Sequence, residues 1–150
     1  MENVIDKVGE VQLAYRPTTK QRTKITSSAD SYEYLLNRCF NESTICHHEE
    51  FKVLFLNNAM QVLGWSTLSS GGLTDTLVDV RVVIQYALLM NATLLIAAHN
   101  HPSGSVHPSR DDDRLTENLQ KACTIMNIKF MDHLIVTPDA YYSYNDEGRL

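Results

Sequence analysis

Cysteine is scarce in this sequence, and its spacing fits no cysteine-based site. The 150-residue chain has three cysteines, Cys39, Cys46 and Cys123, and no two of them form a CxxC pair. A zinc ribbon and a dithiol redox motif need that pair, and a zinc nucleobase deaminase needs a PCxxC segment, so all three classes are excluded. Unpaired thiols suit a reducing compartment, which predicts a cytoplasmic protein.

Positive charge is also limited. The sequence has thirteen Lys and Arg residues and eighteen Asp and Glu residues, which gives a formal net charge of −5. This balance argues against a surface that binds nucleic acid through many phosphate contacts. The one basic cluster, at residues 16–24, is explained equally well as a solvated arm. Neither a GxGxxG loop nor a Walker-type phosphate loop is present.

Long hydrophobic runs are missing as well. The longest uncharged stretch, residues 82–98, is barely long enough to span a bilayer, and Gln85, Asn91 and Thr93 interrupt it. We therefore predict a buried helix followed by a buried strand, and no association with a membrane. Charged residues also break up the first thirty positions, so no signal peptide is expected.

The remaining composition fits one α/β domain, since 43% hydrophobic residues can fill a single core. Residues 1–25 are polar and predict an N-terminal extension with at most one edge strand near 11–15, and residues 26–150 predict the domain itself. The predicted element order is helix, hairpin, helix, strand, helix and two strands. Helices are predicted at residues 28–40, 80–90 and 109–126. Strands are predicted at 49–56 and 60–68, which form the hairpin, and at 93–98, 128–136 and 141–144, with a flexible loop at 69–72.

The first candidate for chemistry is a histidine pair at the end of the apolar strand. His99 and His101 are two residues apart, so an extended backbone points both imidazoles to the same side. One metal ion can accept both rings. Pro102 then prevents a helix from continuing, and Gly104 allows a short turn. Two solvated loop histidines would give the same pattern, so the pair needs a third ligand to be informative.

Asp112 is the candidate third ligand. It precedes Leu115 by three residues and Leu119 by seven, which places it on the apolar face of the predicted helix. An ionised carboxylate on that face needs a partner, and a divalent cation held by two histidines is one such partner. Ser109 with Asp112 also has the form of a capping box, which needs no metal. Both interpretations can hold together.

Three protein ligands leave one position open on tetrahedral zinc, as in catalytic sites. A water at that position needs a nearby base, for which Glu49 and Glu50 are candidates. In a strand, Glu50 shares a face with Lys52, and this charged pair is typical of a solvent-facing surface. Glu49 shares the other face with Phe51 and would point towards the core side. An ordinary carboxylate at a strand end explains Glu49 equally well.

Other metal sets are less suitable. Residues 46–48 are a cysteine followed by two histidines, and neighbours in an extended chain point to opposite faces. His107 could lie at the mouth of the site. Asp132 and His133 lie within an apolar strand, where a hydrogen-bonded structural pair is expected, although support of the metal site through hydrogen bonds stays open.

Taken together, these residues resemble the JAMM motif of zinc metallopeptidases. That motif is an upstream glutamate, HxHP, six residues and SxxD, matched here by Glu49, by HNHP at 99–102, and by Ser109 with Asp112. The resemblance implies that His99, His101 and Asp112 bind zinc. It also implies that Glu49 acts as general acid and base and that Ser109 donates a hydrogen bond to the oxyanion.

More narrowly, the sequence resembles the bacterial RadC family over residues 26–150. HNHPSG at 99–104 and PSRDD at 108–112 carry the likeness, with FKVLFLN at 51–57 and DHLIV at 132–136. The family resemblance implies a single α/β domain of the MPN (JAB) type, with a central mixed β-sheet flanked by helices. Full-length members typically carry an N-terminal helix-hairpin-helix region, which 25 residues are too short to hold.

The function implied by the resemblance is zinc-dependent hydrolysis of a peptide or isopeptide bond in an unidentified peptide or protein conjugate. The alternative is a DNA-repair or recombination accessory protein in which the domain binds rather than cleaves. The acidic net charge of −5 counts against DNA binding. The sequence is compatible with a homo-oligomer.

Overall fold

The computed structural model describes residues 21–71 and 77–150. In these residues, five strands form one mixed sheet, and three helices cover its two faces. The helices are α1 (Ser28–Tyr34), continued by a π-helical turn at Leu35–Cys39, α2 (Val80–Leu89) and α3 (Arg110–Ile125). The strands are β1 (Glu50–Leu56), β2 (Val62–Ser70), β3 (Leu94–Asn100), β4 (Lys129–Val136) and β5 (Tyr141–Ser143).

The strand order across the sheet is β2-β1-β3-β4-β5. β1 pairs antiparallel with both β2 and β3, β3 and β4 are parallel, and β5 returns antiparallel to β4. A parallel pair needs a long crossover, which α3 supplies between β3 and β4. The prediction of an α/β domain with a mixed sheet is therefore confirmed.

The two faces of the sheet bury separate hydrophobic cores. On one face, α1 and the π-helical turn bring Leu35 and Phe40 against Leu54 and Ile96. On the other, α2 and α3 bring Val83 and Leu119 against alternate residues of the same strands, such as Val53, Leu95 and Ala97. All seven residues of β3 are buried, because both faces of this central strand are covered, as its apolar sequence predicts.

Helix ends follow the capping residues of the sequence. The Asp79 side chain accepts a hydrogen bond from the Arg81 N–H and starts α2. Asn91 and Asn127 lie just beyond the ends of α2 and α3 with φ of 53° and 54°, the left-handed conformation that asparagine tolerates at a helix end. The predicted N-cap at Asp79 and the predicted end at Asn91 are both confirmed.

One prediction about the faces of β1 is wrong. Glu50 and Lys52 were expected to face solvent, but only 3% of Lys52 is exposed. The Lys52 ammonium donates to Thr67 Oγ1 at 2.8 Å, lies 3.3 Å from a Glu50 oxygen and sits 5.6 Å from the centre of the Trp65 ring. α1 and the segment after it cover this face, so the charge is buried with its partners.

Smaller corrections concern element ends. Ser69 and Ser70 continue β2, opposite Phe51 and Glu50, where a loop was expected, while Gly72 lies outside the described residues. β3 runs two residues further than predicted and includes His99 and Asn100. The suggested edge strand near 11–15 also lies outside the described residues. Within the described ranges, no helix has the length and apolar character needed to cross a bilayer.

Candidate metal centre

The end of β3 brings the two predicted histidines together. His99 is buried within the strand, and His101 follows its last residue, so their rings point to the face covered by α2 and α3. Their Nε2 atoms lie 3.0 Å apart. The histidine pair thus presents two nitrogen atoms to one point at the edge of the sheet.

Asp112 reaches the same point from the first turn of α3. Its Oδ1 lies 3.1 Å from His99 Nε2, and its Oδ2 lies 3.6 Å from His101 Nε2. The capping box is present as well: Asp112 N–H donates to Ser109 Oγ, and Ser109 N–H donates to Asp112 Oδ2 at 2.7 Å. Because Oδ2 serves the backbone and Oδ1 faces His99, capping and an inward carboxylate occur together.

The geometry of these three side chains fits a divalent metal ion. The two Nε2 atoms are 3.0 Å apart, and one carboxylate oxygen of Asp112 lies 3.1 Å from His99 Nε2 while the other lies 3.6 Å from His101 Nε2. Ligand atoms of tetrahedral zinc, with bonds of about 2.0–2.2 Å, are about 3.3–3.6 Å apart. Within residues 21–71 and 77–150, no other group of three His, Cys, Asp or Glu side chains comes this close. His99, His101 and Asp112 could therefore hold a metal ion together.

Charge at the centre follows from these contacts. Burial acts to raise the pKa of Asp112, but hydrogen bonds with His101 and His99 outweigh it, so the pKa lies well below its ordinary value. The hydrogen bond with Asp112 is the main cause that raises the pKa of His101, against the opposing effect of burial. The negative charge of Glu49 also contributes to that rise. The centre therefore favours bound positive charge, whether protons or a metal ion.

The loop after His101 fixes the orientation of that ring. His101 Nδ1 donates to the carbonyl oxygen of Ser105 at 2.8 Å. The chain reaches this position by a turn in which Gly104 N–H donates to the His101 carbonyl and Gly104 has a φ of 81°. A carbonyl oxygen only accepts, so Nδ1 carries the proton and Nε2 of a neutral His101 has a free lone pair for a metal.

A cleft of about 640 Å³ opens over the centre. Glu49 and Ser109 line it together with the three candidate ligands, and Leu77, Val78, Val80 and Leu115 supply apolar surface. Glu49 directly precedes β1, and its carbonyl oxygen accepts a hydrogen bond from Gly71 N–H at 3.0 Å. All five residues predicted from the motif are thus brought to one cleft.

The competing residues have other surroundings. Cys46, His47 and His107 are exposed. Asp132 is held in place structurally: it accepts hydrogen bonds from Ser143 Oγ at 2.6 Å and from its neighbour's backbone N–H at 2.7 Å. The expected side-chain pair with His133 does not form, because neighbouring strand residues point to opposite faces.

Three supporting residues were missed or underestimated at the sequence level. Asn100, between the two histidines, faces the opposite side of the sheet and is fully buried. His133 Nε2 lies 2.9 Å from His99 Nδ1, and Thr116 Oγ1 lies 2.6 Å from His133 Nδ1. Thr116 falls four residues after Asp112 on α3, so helical spacing from the candidate ligand could have pointed to it.

Known proteins share this sequence pattern. A family model described as the RadC-like JAB domain matches residues 25–149. A UPF0758 protein of Flavobacterium johnsoniae is 46% identical over 125 residues, which cover 83% of this chain and 53% of that protein. UPF0758 proteins of Streptococcus gordonii and Porphyromonas gingivalis are 44% and 45% identical over 102 and 103 residues, in each case 68% of this chain and 45% of the relative.

The chain therefore spans about half the length of the curated relatives it matches. The family match covers nearly all of the described residues, including β3 and α3, which carry the candidate ligands. The chain belongs to the RadC-like JAB domain family.

Proposed function

We propose that this domain is a zinc-dependent hydrolase that cleaves an amide, either a peptide or an isopeptide bond. The observation that carries the proposal is the cluster of His99 Nε2, His101 Nε2 and the Asp112 carboxylate, whose contacts measure 3.0–3.6 Å, at the wall of a cleft that Glu49 also lines. Two imidazoles and one carboxylate with an open fourth position are the ligand set of a catalytic zinc site.

Each ligand side chain has a defined part in holding the ion. His99 and His101 would bind through Nε2, and Asp112 would bind through Oδ1 while its Oδ2 stays on the Ser109 N–H. A zinc ion held by these residues would supply a Lewis acid, which lowers the pKa of water to about 7. The backbone bond to Oδ2 keeps the carboxylate oriented before the ion arrives.

Glu49 is the proposed general base. Glu49 lines the cleft, and its charge contributes to the raised pKa of His101, which indicates that the carboxylate is close to the centre. From there it would take the proton of the attacking water and pass it to the leaving nitrogen. A positioned carboxylate of this kind contributes about 10²–10⁴-fold to the rate.

Ser109 is the proposed oxyanion donor. Its hydroxyl oxygen accepts the hydrogen bond from Asp112 N–H at 3.1 Å, and the residue lines the cleft. The hydroxyl proton can then be donated to a carbonyl oxygen that gains negative charge. The same residue would cap α3 and stabilise the transition state.

The proposed substrate is a segment of polypeptide in an extended form. The cleft volume of about 640 Å³ is in the range of sites that hold several residues or a small ligand. The apolar side chains beside the centre, among them Val80 and Leu115, would bury an apolar group next to the scissile bond.

Glu49→Gln tests the assignment of the base. The purified wild type and the variant are loaded with zinc and incubated with a library of fluorogenic peptides and lysine-linked isopeptides. Metal content is measured by mass spectrometry on the same samples. We expect the variant to keep its zinc and its fold but to lose at least about 10²-fold in cleavage rate.

Glu117→Gln is the matched control, because Glu117 is an exposed glutamate on α3 that pairs with Lys121. It should cleave at the wild-type rate. A Glu49→Gln protein that cleaves as fast as wild type would exclude Glu49 as the base. A zinc-loaded wild type that cleaves none of the amides would count against hydrolysis itself.

A further inference from the structure

We propose that Thr116 and His133 are positioning residues that hold His99 in the tautomer whose Nε2 lone pair faces the metal centre. This inference rests on the proposed metal site and does not depend on which bond is cleaved. Neither residue lines the cleft, so neither would touch a substrate.

The contacts form a continuous buried chain. Thr116 Oγ1 donates to the carbonyl oxygen of Asp112, one helical turn earlier, at 2.7 Å. The same oxygen lies 2.6 Å from His133 Nδ1, and His133 Nε2 lies 2.9 Å from His99 Nδ1. His99 Nε2 is then the atom that lies 3.1 Å from Asp112 Oδ1.

The direction of each hydrogen bond follows from the first one. The Asp112 carbonyl oxygen can only accept, so the single Thr116 hydroxyl proton points to it. His133 Nδ1 must then donate to Thr116 Oγ1, which leaves the lone pair of a neutral His133 on Nε2. That lone pair accepts from His99 Nδ1, so the free lone pair of His99 is on Nε2.

The reverse direction leaves one contact unsatisfied. If Thr116 donated to His133, its oxygen and the Asp112 carbonyl oxygen would face each other at 2.7 Å with no proton between them. His99 would also carry its proton on Nε2, which blocks the nitrogen that points to the other ligands. The first direction satisfies every contact from the Asp112 carbonyl oxygen to His99 Nδ1, and it leaves His99 Nε2 to face Asp112 Oδ1, where a metal ion would be held.

Packing holds the His133 ring in this orientation. His133 is 0% exposed, stacks on Tyr144 with 5.2 Å between ring centres and meets the Phe51 ring edge-on at 5.7 Å. This packing restricts rotation of the His133 ring. His101 has its Nδ1 committed to Ser105 O, so both histidines would present Nε2 before any metal arrives.

The tautomers can be measured directly in the metal-free protein. With ¹⁵N-labelled histidine, protonated and unprotonated ring nitrogens are separated by chemical shift, and single substitutions assign the rings. At a pH of about 8.5, above the ordinary histidine pKa of about 6.5, we expect His99 and His133 each to carry the proton on Nδ1. An unprotonated Nδ1 on either ring would overturn the proposal.

Metal affinity gives a second readout, measured by competition between the protein and a zinc chelator. Thr116→Val keeps the side-chain shape but removes the acceptor for His133, and it should weaken zinc binding by about 10- to 100-fold. Thr116→Ser restores the hydroxyl and should recover affinity close to wild type. Equal affinity of wild type and Thr116→Val would contradict the proposal.

Thr124→Val is the matched control. Thr124 lies on the same helix and makes the same type of bond, to the Gln120 carbonyl at 2.8 Å, but it is exposed and far along α3 from the centre. Its substitution should leave zinc affinity unchanged. If the wild type bound no zinc at all, the proposed metal site would fail, and the nitrogen shifts of the metal-free protein would still decide the tautomer.

Discussion

The side-chain oxygen of Asn100 accepts a hydrogen bond of 2.7 Å from the backbone N–H of Glu50. Its amide nitrogen donates to the carbonyl oxygen of His48 at 2.8 Å and to that of Ile45 at 2.7 Å. Asn100 therefore holds the backbone on both sides of Glu49. Since Asn100 lies between the two candidate histidine ligands on β3, one strand end fixes the metal centre and the proposed base together.

Replacing Asn100 tests this arrangement. Asn100→Ala leaves a buried N–H and two carbonyl oxygens without their partner, and we expect a loss of about 3 kcal/mol in the free energy of unfolding. Urea unfolding monitored by circular dichroism measures the change. Asn118→Ala, at an exposed position on α3, should change it by less than about 0.5 kcal/mol. A loss below about 1 kcal/mol in Asn100→Ala would mean that the loop is fixed by other contacts.

The parts of this structure that local sequence determines were predicted well. Apolar spacing and capping residues such as Asp79 and Asn91 act on residues close to them in the sequence. They therefore predicted which segments form helices or strands and where most of these elements end. The grouping of His99, His101 and Asp112 was also predicted. Alternation along a strand puts the two histidines on one face, and the periodicity of a helix puts Asp112 on the apolar face of α3.

The parts that depend on tertiary packing were not predicted. Lys52 was assigned to a solvent-facing surface because alternation shows which residues share a face but not whether a helix covers it. Asn100 and Thr116 look like ordinary polar residues in the sequence. Their roles arise from the loop at residues 45–50 and from β4, which approach them only in the folded chain.

Asp112 should be required for metal binding. Asp112→Ala removes one of three ligand side chains and the cap on Ser109 N–H, so near-stoichiometric zinc in the wild type should fall to a small fraction in the variant. Mass spectrometry of protein purified without added metal or chelator measures this content. Asp111→Ala, one residue earlier and exposed, should keep its zinc.

Zinc retained in full by Asp112→Ala would exclude the aspartate as a ligand. A folded wild type that stays free of zinc after reconstitution would instead indicate that the three side chains share protons rather than a metal. In that case the raised pKa of His101 and the lowered pKa of Asp112 would describe the working state of the centre.

The buried ammonium of Lys52 should stabilise the hairpin of β1 and β2. Lys52→Met keeps the apolar stem but removes the donor to Thr67 Oγ1 and the partner of Glu50, which should cost about 1–3 kcal/mol. Lys121→Met is the control, because its 2.6 Å pair with Glu117 is exposed and should be worth only about 0.3–0.5 kcal/mol. Equal effects of the two substitutions on urea unfolding would show that burial adds nothing to the Lys52 contacts.

His133 should make the metal-free protein sensitive to mild acid. Complete burial is the main cause that holds the pKa of His133 well below its ordinary value, with a further lowering from nearby His99. As pH falls through about 6.5, His133 takes up a proton in the unfolded chain but stays neutral in the folded one. The unfolded state then binds more protons, so the free energy of unfolding falls as pH falls, by up to about 1.36 kcal/mol per pH unit for this one group.

Urea unfolding of chelator-treated protein between a pH of about 7 and about 5 measures this slope. His133→Gln removes the group, and the other titrating residues are present in both proteins, so the slope of the variant should be shallower by close to one proton. His107→Gln removes an exposed histidine instead and should leave the wild-type slope in place. If His133→Gln and wild type lost stability in parallel, the buried ring would have to take up its proton in the folded state, and the bond that it accepts from His99 Nδ1 could not persist at low pH.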